Sequence, residues 1–241
     1  MDNRYTIVAA VMIALILLVG CGAAEPTATA TPVPTDTPVP EDLSIDVPRR
    51  SAPVLDGTLS PDEWAGAHEA DLTGGGTLLL MHDGHYLYLG LRGESDSVGS
   101  ICVIRGNELA VLHSSMGVGT AEYKQTEEGW RRTRSFVWTW WAATDDSLAQ
   151  QQQAEFLQEE RWLATTFGTG STGEMEYQIA LPEGSLRIAV IYFAGIDEKT
   201  VWWPAQLRDS CRNTSLIQGR AGGMLGFHPE QWVAIRPLAN D

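Results

Sequence analysis

From about residue 46 onward, apolar residues either alternate with polar ones or run together briefly between turn residues, and this pattern predicts strands. The clearest case is 77–91, where two apolar runs flank Asp83-Gly84, a dipeptide suited to the positive φ of a type I′ hairpin turn. In the second run Leu87, Leu89 and Leu91 share one face and Tyr86 and Tyr88 the other, so the leucines are expected in the core. Further strands are expected at 100–104, 109–113, 121–125, 132–141, 176–181, 186–193 and 232–236. In 186–193 both alternating sets are largely apolar, which predicts a central strand covered on both faces. One segment departs from this pattern. Residues 147–163 lack Gly and Pro and open with Ser147-x-x-Gln150 as a capping box. They repeat Ala149, Phe156 and Leu163 along one face and leave Glu159 and Glu160 in water, which reads as a helix. Short, turn-bounded strands with a single helix predict an all-β fold: an immunoglobulin-like antiparallel β-sandwich with one inserted helix. No internal repeat is evident.

The amino terminus reads differently. Arg4 precedes an apolar run over 5–19, shorter than the ~20 residues that span a bilayer, and the run ends in Leu18-Val19-Gly20-Cys21. That ending resembles the lipobox of bacterial lipoprotein signal peptides. The resemblance implies that residues 1–20 are a signal peptide and that Cys21 carries a thioether-linked diacylglycerol, placing the chain in the cell envelope, extracytoplasmic and lipid-anchored to a membrane. Residues 26–40 hold five Pro and five Thr with almost no large apolar side chain, so they form an extended tether or a glycosylated stalk. Residues 21–48 are expected to be a linker, and 49–241 a single domain.

The formal charge of −15 argues against nucleic acid as a partner and fits an exported protein, whose carboxylates could also hold a structural Ca²⁺. Apart from Cys21 only Cys102 and Cys211 remain, without metal-site spacing. They are a candidate disulfide in an oxidising compartment, with two buried thiols as the alternative.

Three motifs carry a resemblance. Val54-Leu55-Asp56-Gly57-Thr58-Leu59-Ser60-Pro61-Asp62-Glu63-Trp64 is similar to the opening of family 9 carbohydrate-binding modules, with its Asp-Gly turn and nearby Trp. Met81-His82-Asp83-Gly84-His85-Tyr86-Leu87-Tyr88-Leu89-Gly90-Leu91 looks like their hairpin. Glu176-Tyr177-Gln178-Ile179-Ala180-Leu181-Pro182 looks like their third signature, leading into the apolar strand from Leu186. The wider sandwich superfamily includes DOMON modules and haem-binding dehydrogenase subunits, so the resemblance implies architecture more than ligand. Within it, Asp56-Gly57 is expected to turn the chain and Trp64 to plug a sandwich end.

Nine Trp shape the search for a site, because an indole either fills a core or stacks on the apolar face of a sugar. Trp64 and Trp232 are expected in the core. Trp130, Arg132, Arg134, Phe136, Trp138 and Trp140 would share one face of an unbroken strand, mixing guanidinium forks with stacking area suited to sugar hydroxyls or a sugar carboxylate. A core role for the aromatics is the competing reading, and a bulge would break the parity. Trp202-Trp203-Pro204 is the second candidate, since family 9 modules sandwich a terminal sugar between two tryptophans. The candidate ligand-binding set is thus Trp138, Trp140, Trp202, Trp203, Arg132 and Arg134. His82-x-x-His85 reads as two solvated turn histidines without a third metal ligand. Gly168-x-Gly170-x-x-Gly173 lies after a helix and before a strand, the reverse of a dinucleotide site. Ser171 lacks the glycine of a nucleophile elbow, and no catalytic residue is expected.

These readings favour a surface-displayed, non-catalytic module for carbohydrate, whether glycan or polysaccharide. The alternatives are a haem-binding electron-transfer sandwich, with Met81, Met116, Met175 and His113 as axial ligands, and a module for an envelope protein partner.

Overall fold

The computed structural model describes residues 43–93, 98–141, 145–166, 169–170, 173–194, 199–212 and 225–239. The signal peptide, Cys21, the Pro/Thr tract, Gly168 and Ser171 lie outside the described residues. The chain first runs through Ser44–Val47 (β1), His68–Asp71 (β2), Thr77–His82 (β3), Tyr86–Arg92 (β4) and Val98–Arg105 (β5). Glu108–Ser114 (β6), Val118–Thr126 (β7) and Gly129–Arg134 (β8) lead to the helix Asp146–Glu160 (α1). Trp162–Ala164 (β9), Glu174–Ala180 (β10), Leu186–Ala194 (β11), Lys199–Trp203 (β12) and Val233–Pro237 (β13) complete it.

Two sheets result. The larger has the order β1-β13-β11-β5-β6-β7-β8, with β12 also on β11, and the smaller has the order β2-β3-β4-β10-β9. Leu78, Leu80, Leu87, Leu89 and Leu91 of one sheet pack against Ile101, Val103, Ile188 and Val190 of the other, so the fold is an all-β sandwich. The leucines of β4 face this core, and Tyr88 faces away from it. One pairing departs from an antiparallel sandwich: β1 runs parallel to β13, with Ser44 opposite Ala234. Residues 44–47 therefore belong to the sheet and not to the 21–48 linker. Ile45 and Val47 pack against the core, which rewards pairing directly after the proline-rich tract.

Both sheets are also apolar on their outer faces. On the larger sheet, Cys102, Val111, Tyr123, Ala189 and Ile191 lie under Leu207, Cys211, Leu225, Phe227 and Trp232 from the irregular chain between β12 and β13. Strand β11 is thus covered on both sides, as its continuous apolar pattern requires. On the smaller sheet, Leu79, Met81 and Tyr88 lie under Leu59 and Trp64. Trp64 therefore covers a sheet face instead of plugging a sandwich end, and its ring lies against Gly90, which has no side chain to displace it.

Each cover is held by a buried carboxylate. Glu176 of β10 accepts hydrogen bonds from the Gly57 amide at 2.7 Å and the Trp64 indole at 3.3 Å. Asp209 accepts from the Cys211 amide at 2.9 Å, the His228 amide at 2.8 Å and the Trp232 indole at 2.8 Å. The larger cover is also tied covalently by the Cys102–Cys211 disulfide, from β5 to the short 3-10 turn Ser210–Arg212.

Two local expectations change. In the β3–β4 turn only Gly84 takes positive φ, at 104°, so the turn is not type I′. Asp83 instead accepts the His85 amide at 2.7 Å, the Tyr86 amide at 2.8 Å and the Tyr88 hydroxyl at 2.8 Å, an Asx-type closure. The helix begins earlier than Ser147 because Asp145 is the N-cap, accepting from the Ser147 and Leu148 amides. It ends at Arg161, whose φ of 64° breaks the helix, and β9 follows. There Trp162 is buried between Phe156 and Tyr177, and its strand pairs with β10, which outweighs continued helix.

Replacing Cys102 and Cys211 together by Ser is expected to lower the unfolding free energy by about 4–5 kcal/mol, the chain-entropy value for so long a loop. Urea denaturation reads this as a lower midpoint. An unchanged midpoint would show that the cover needs no covalent tie.

Candidate functional site

The stripe expected from 130 to 140 is interrupted by a bulge. Tyr123 pairs with Arg132 and the adjacent Glu122 with Arg134, so Thr133 is the extra residue in β8. Trp130 stays buried on the outer face, its indole donating to the Phe227 carbonyl at 2.9 Å. Arg132 lies over the Tyr123 ring, 5.9 Å from its centroid. Arg134 turns toward the inter-sheet side and pairs with Glu160 and, at 3.3 Å, with Glu122. Glu160 also accepts from Thr120 at 2.7 Å, whose hydroxyl in turn accepts the buried Trp162 indole at 2.8 Å. The two arginines are therefore separated, and Arg134 serves an internal polar network.

Past Arg134 the regular strand ends, and the chain regains β7 through Thr139. The Val118 amide donates to Thr139 at 3.0 Å, and the Thr139 amide donates back at 2.9 Å. This short extended stretch, not a continuous strand over 132–141, presents Phe136, Trp138 and Trp140. Phe136 and Trp138 stack with centroids 5.4 Å apart and planes 17° off parallel. Trp138 is 36% exposed and Trp140 59% exposed, whereas Trp141 points the other way onto Phe156 in the core. Met116 at 75% and Val137 at 69% are exposed close by in the chain.

Beneath the pair sits His113 of β6. Its ring meets Trp138 edge-on at 5.3 Å and Phe136 at 6.0 Å, and its Nδ1 is 2.7 Å from the Ser100 hydroxyl. Burial drives its pKa down to about 4, so at neutral pH it is an uncharged packing ring. Sequence reasoning weighed His113 only as a haem ligand. Its shared parity with Leu109 and Val111 was the available sign that it faces the outer cover.

The other aromatic candidates lie apart. Trp202 faces Ile191 across the β11–β12 ladder and Trp203 faces Val190, so the two indoles point to opposite sides of the sheet. Trp203 is 8% exposed within the inter-sheet core and is corrected to a structural residue. Trp202 is half-buried, with the Arg212 guanidinium 3.6 Å from its ring centroid. Strands β11, β5 and β6 separate it from β7, about 19 Å at ~4.8 Å per strand, so Trp202 does not join Trp138 and Trp140. Trp64 and Trp232 are buried as expected.

His85 is exposed in its turn, but His82 is buried and contacts the Leu238 carbonyl at 3.0 Å, which corrects the reading of two solvated histidines. Met81 lies under the Trp64 cover, Met175 between the sheets, Met116 in solvent and His113 under Phe136, so these four do not converge on one pocket. Among the described residues no three His, Cys, Asp or Glu side chains are grouped to hold a metal ion. No helix among them is long and apolar enough to cross a membrane.

Two buried titrating groups give the domain a specific pH signature. Burial raises Glu176 from 4.5 to about 7, against the hydrogen bonds from Gly57 and Trp64 that favour its charged form. Between those values the folded state holds a proton that the unfolded state has lost, so stability falls as pH rises. His113 behaves oppositely: between about 4 and 6.5 only the unfolded state is protonated, so stability rises with pH. Between 4.5 and 6.5 these two contributions have opposite signs. Relative to the wild type, the slope of stability against pH in that window is expected to become more negative by about 1.4 kcal/mol per pH unit in His113→Phe and more positive by a comparable amount in Glu176→Gln. Denaturation midpoints collected across the window check both, and parallel profiles for the two variants would refute the assignment.

Compared with known proteins, the chain matches no family model, no curated protein and no solved structure.

Proposed function

We propose that this chain is an extracytoplasmic lipoprotein, anchored by lipid on Cys21, whose sandwich resembles family 9 carbohydrate-binding and DOMON modules and binds an uncharged glycan without catalysis. The observation that carries the reading is the pair Trp138 and Trp140, held on a disulfide-tied sheet yet exposed by 36% and 59%. Large indoles left in water beside a packed face provide stacking area for the apolar side of a sugar ring. Arg134 is committed to Glu160 and Glu122 and Arg132 lies over Tyr123, so the indoles act without a guanidinium fork. Together with a chain charge of −15, this favours an uncharged ligand over an acidic one. The disulfide suits an oxidising, extracytoplasmic compartment.

Exposed Met116 and Val137 favour a second reading, in which the same apolar surface docks an envelope protein. One experiment separates the two. The full chain, in a detergent without a sugar headgroup, is run through native gels containing soluble xylan, laminarin or hydroxyethylcellulose. Retardation in at least one glycan is expected, reduced roughly tenfold or more in apparent affinity by Trp138→Ala or Trp140→Ala. Trp202→Ala should bind as the wild type does. Unretarded migration in all three glycans, with one stoichiometric protein recovered from solubilised envelopes, would replace the glycan reading with the second.

A further inference from the structure

The indoles exposed at 138 and 140 face two glycines across the short pairing with β7. Thr139 is bonded to Val118, which places Trp138 beside Gly119 and Trp140 beside Gly117. A Cβ built on Gly117 would lie 2.9 Å from the Trp140 Nε1 and 2.8 Å from the Thr139 carbonyl oxygen. One built on Gly119 would lie 3.2 Å from Trp138 Cε3 and 3.3 Å from Phe136 Cδ1.

Gly119 is the more telling of the two. Its backbone is not in the left-handed region, so the chain conformation alone does not call for glycine. Its nearest neighbours are two aromatic rings, and those rings are the stacked pair Phe136 and Trp138. Trp138 also meets the His113 ring in a T-shaped contact at 5.3 Å, and His113 is itself hydrogen-bonded to Ser100. A missing side chain, a stacked phenyl and a crossed imidazole thus all border the indole.

We infer that Gly119, with Gly117, is a positioning residue of the aromatic site: the bare strand lets Trp138 and Trp140 rest against β7 at a fixed height, so that their outer surfaces form one pre-set contact area. The inference deepens the glycan reading and rests on it for its functional meaning, but the seating can be measured without any ligand. A rigid aromatic contact loses little entropy on binding, whereas an indole lifted from its seat must be ordered by the ligand.

The test uses the full chain with Gly119→Ala and Gly119→Val, each alone and combined with Trp138→Ala. Acrylamide quenching of tryptophan emission is expected to rise in Gly119→Val, and less in Gly119→Ala, as Trp138 leaves the strand. Neither glycine change should alter quenching once Trp138 is absent, a non-additivity that general destabilisation would not produce. In the gels described above, Gly119→Val should weaken retardation roughly tenfold, the upper range for loss of one ordered aromatic contact. Wild-type quenching in both glycine variants, or an equal increase without Trp138, would overturn the inference. If the wild type is unretarded by every glycan but quenching follows the expected pattern, the seat stands and the glycan reading fails. Altered quenching with unaltered retardation would show that the seat does not serve binding.

Discussion

The domain depends on two buried carboxyl groups. Glu176 and Asp209 each accept an indole N–H and at least one backbone N–H, and each thereby fastens an irregular stretch of chain over the outer face of a sheet. Burial is the largest cause that pushes both carboxyl pKa values up, and the convergent donors oppose that shift. The arrangement is needed because both outer faces are apolar. Without Trp64 and Trp232 in place, Leu79, Met81 and Tyr88 on one sheet and Val111, Tyr123 and Ile191 on the other would face solvent. An irregular cover has few ladder hydrogen bonds of its own, so a buried carboxyl acceptor that collects several donors holds it at a single position.

That constraint separates the tryptophans by role. Trp64, Trp130 and Trp232 each donate the indole N–H to a protein oxygen and are buried with it, and Trp162 does the same through Thr120. Trp203 is buried by the parity of β12. Trp138 and Trp140 follow a different physics: they lie past the end of β8, on a segment bonded to β7 only around Thr139, outside either cover. Trp138 is supported by Phe136, His113 and Gly119 and Trp140 by Gly117, and both indoles remain partly in water. An apolar surface that is both exposed and mechanically supported is what a binding function requires and what a core does not produce.

Much of this was legible in the residue pattern. The hairpin at 77–91, the inward leucines of β4, the two-sided burial of β11 and the existence of one helix follow from periodicity, which reflects only local geometry. The buried Trp64 and Trp232 were legible too, although the faces they cover were not. The shortest strands carry no such signal: β1, β2 and β9 run only three or four residues, too few to show a period, and each is a strand because of its partner, β13 for β1, β3 for β2 and β10 for β9.

The amino-acid sequence by itself determined the class of fold, the alternating faces, the helix that becomes α1 and the supply of indoles, because each is a property of neighbours in the chain. Only the tertiary structure decided which indoles meet. One additional residue at Thr133 sent Arg132 and Arg134 to different sides, the parity of a two-strand ladder parted Trp202 from Trp203, and a single backbone pairing at Thr139 set Trp138 and Trp140 upon Gly119 and Gly117. A side-chain face reverses with every residue of register, and register in these segments is fixed by a bulge and by the strand each one pairs with, which the alternation of residues alone does not record.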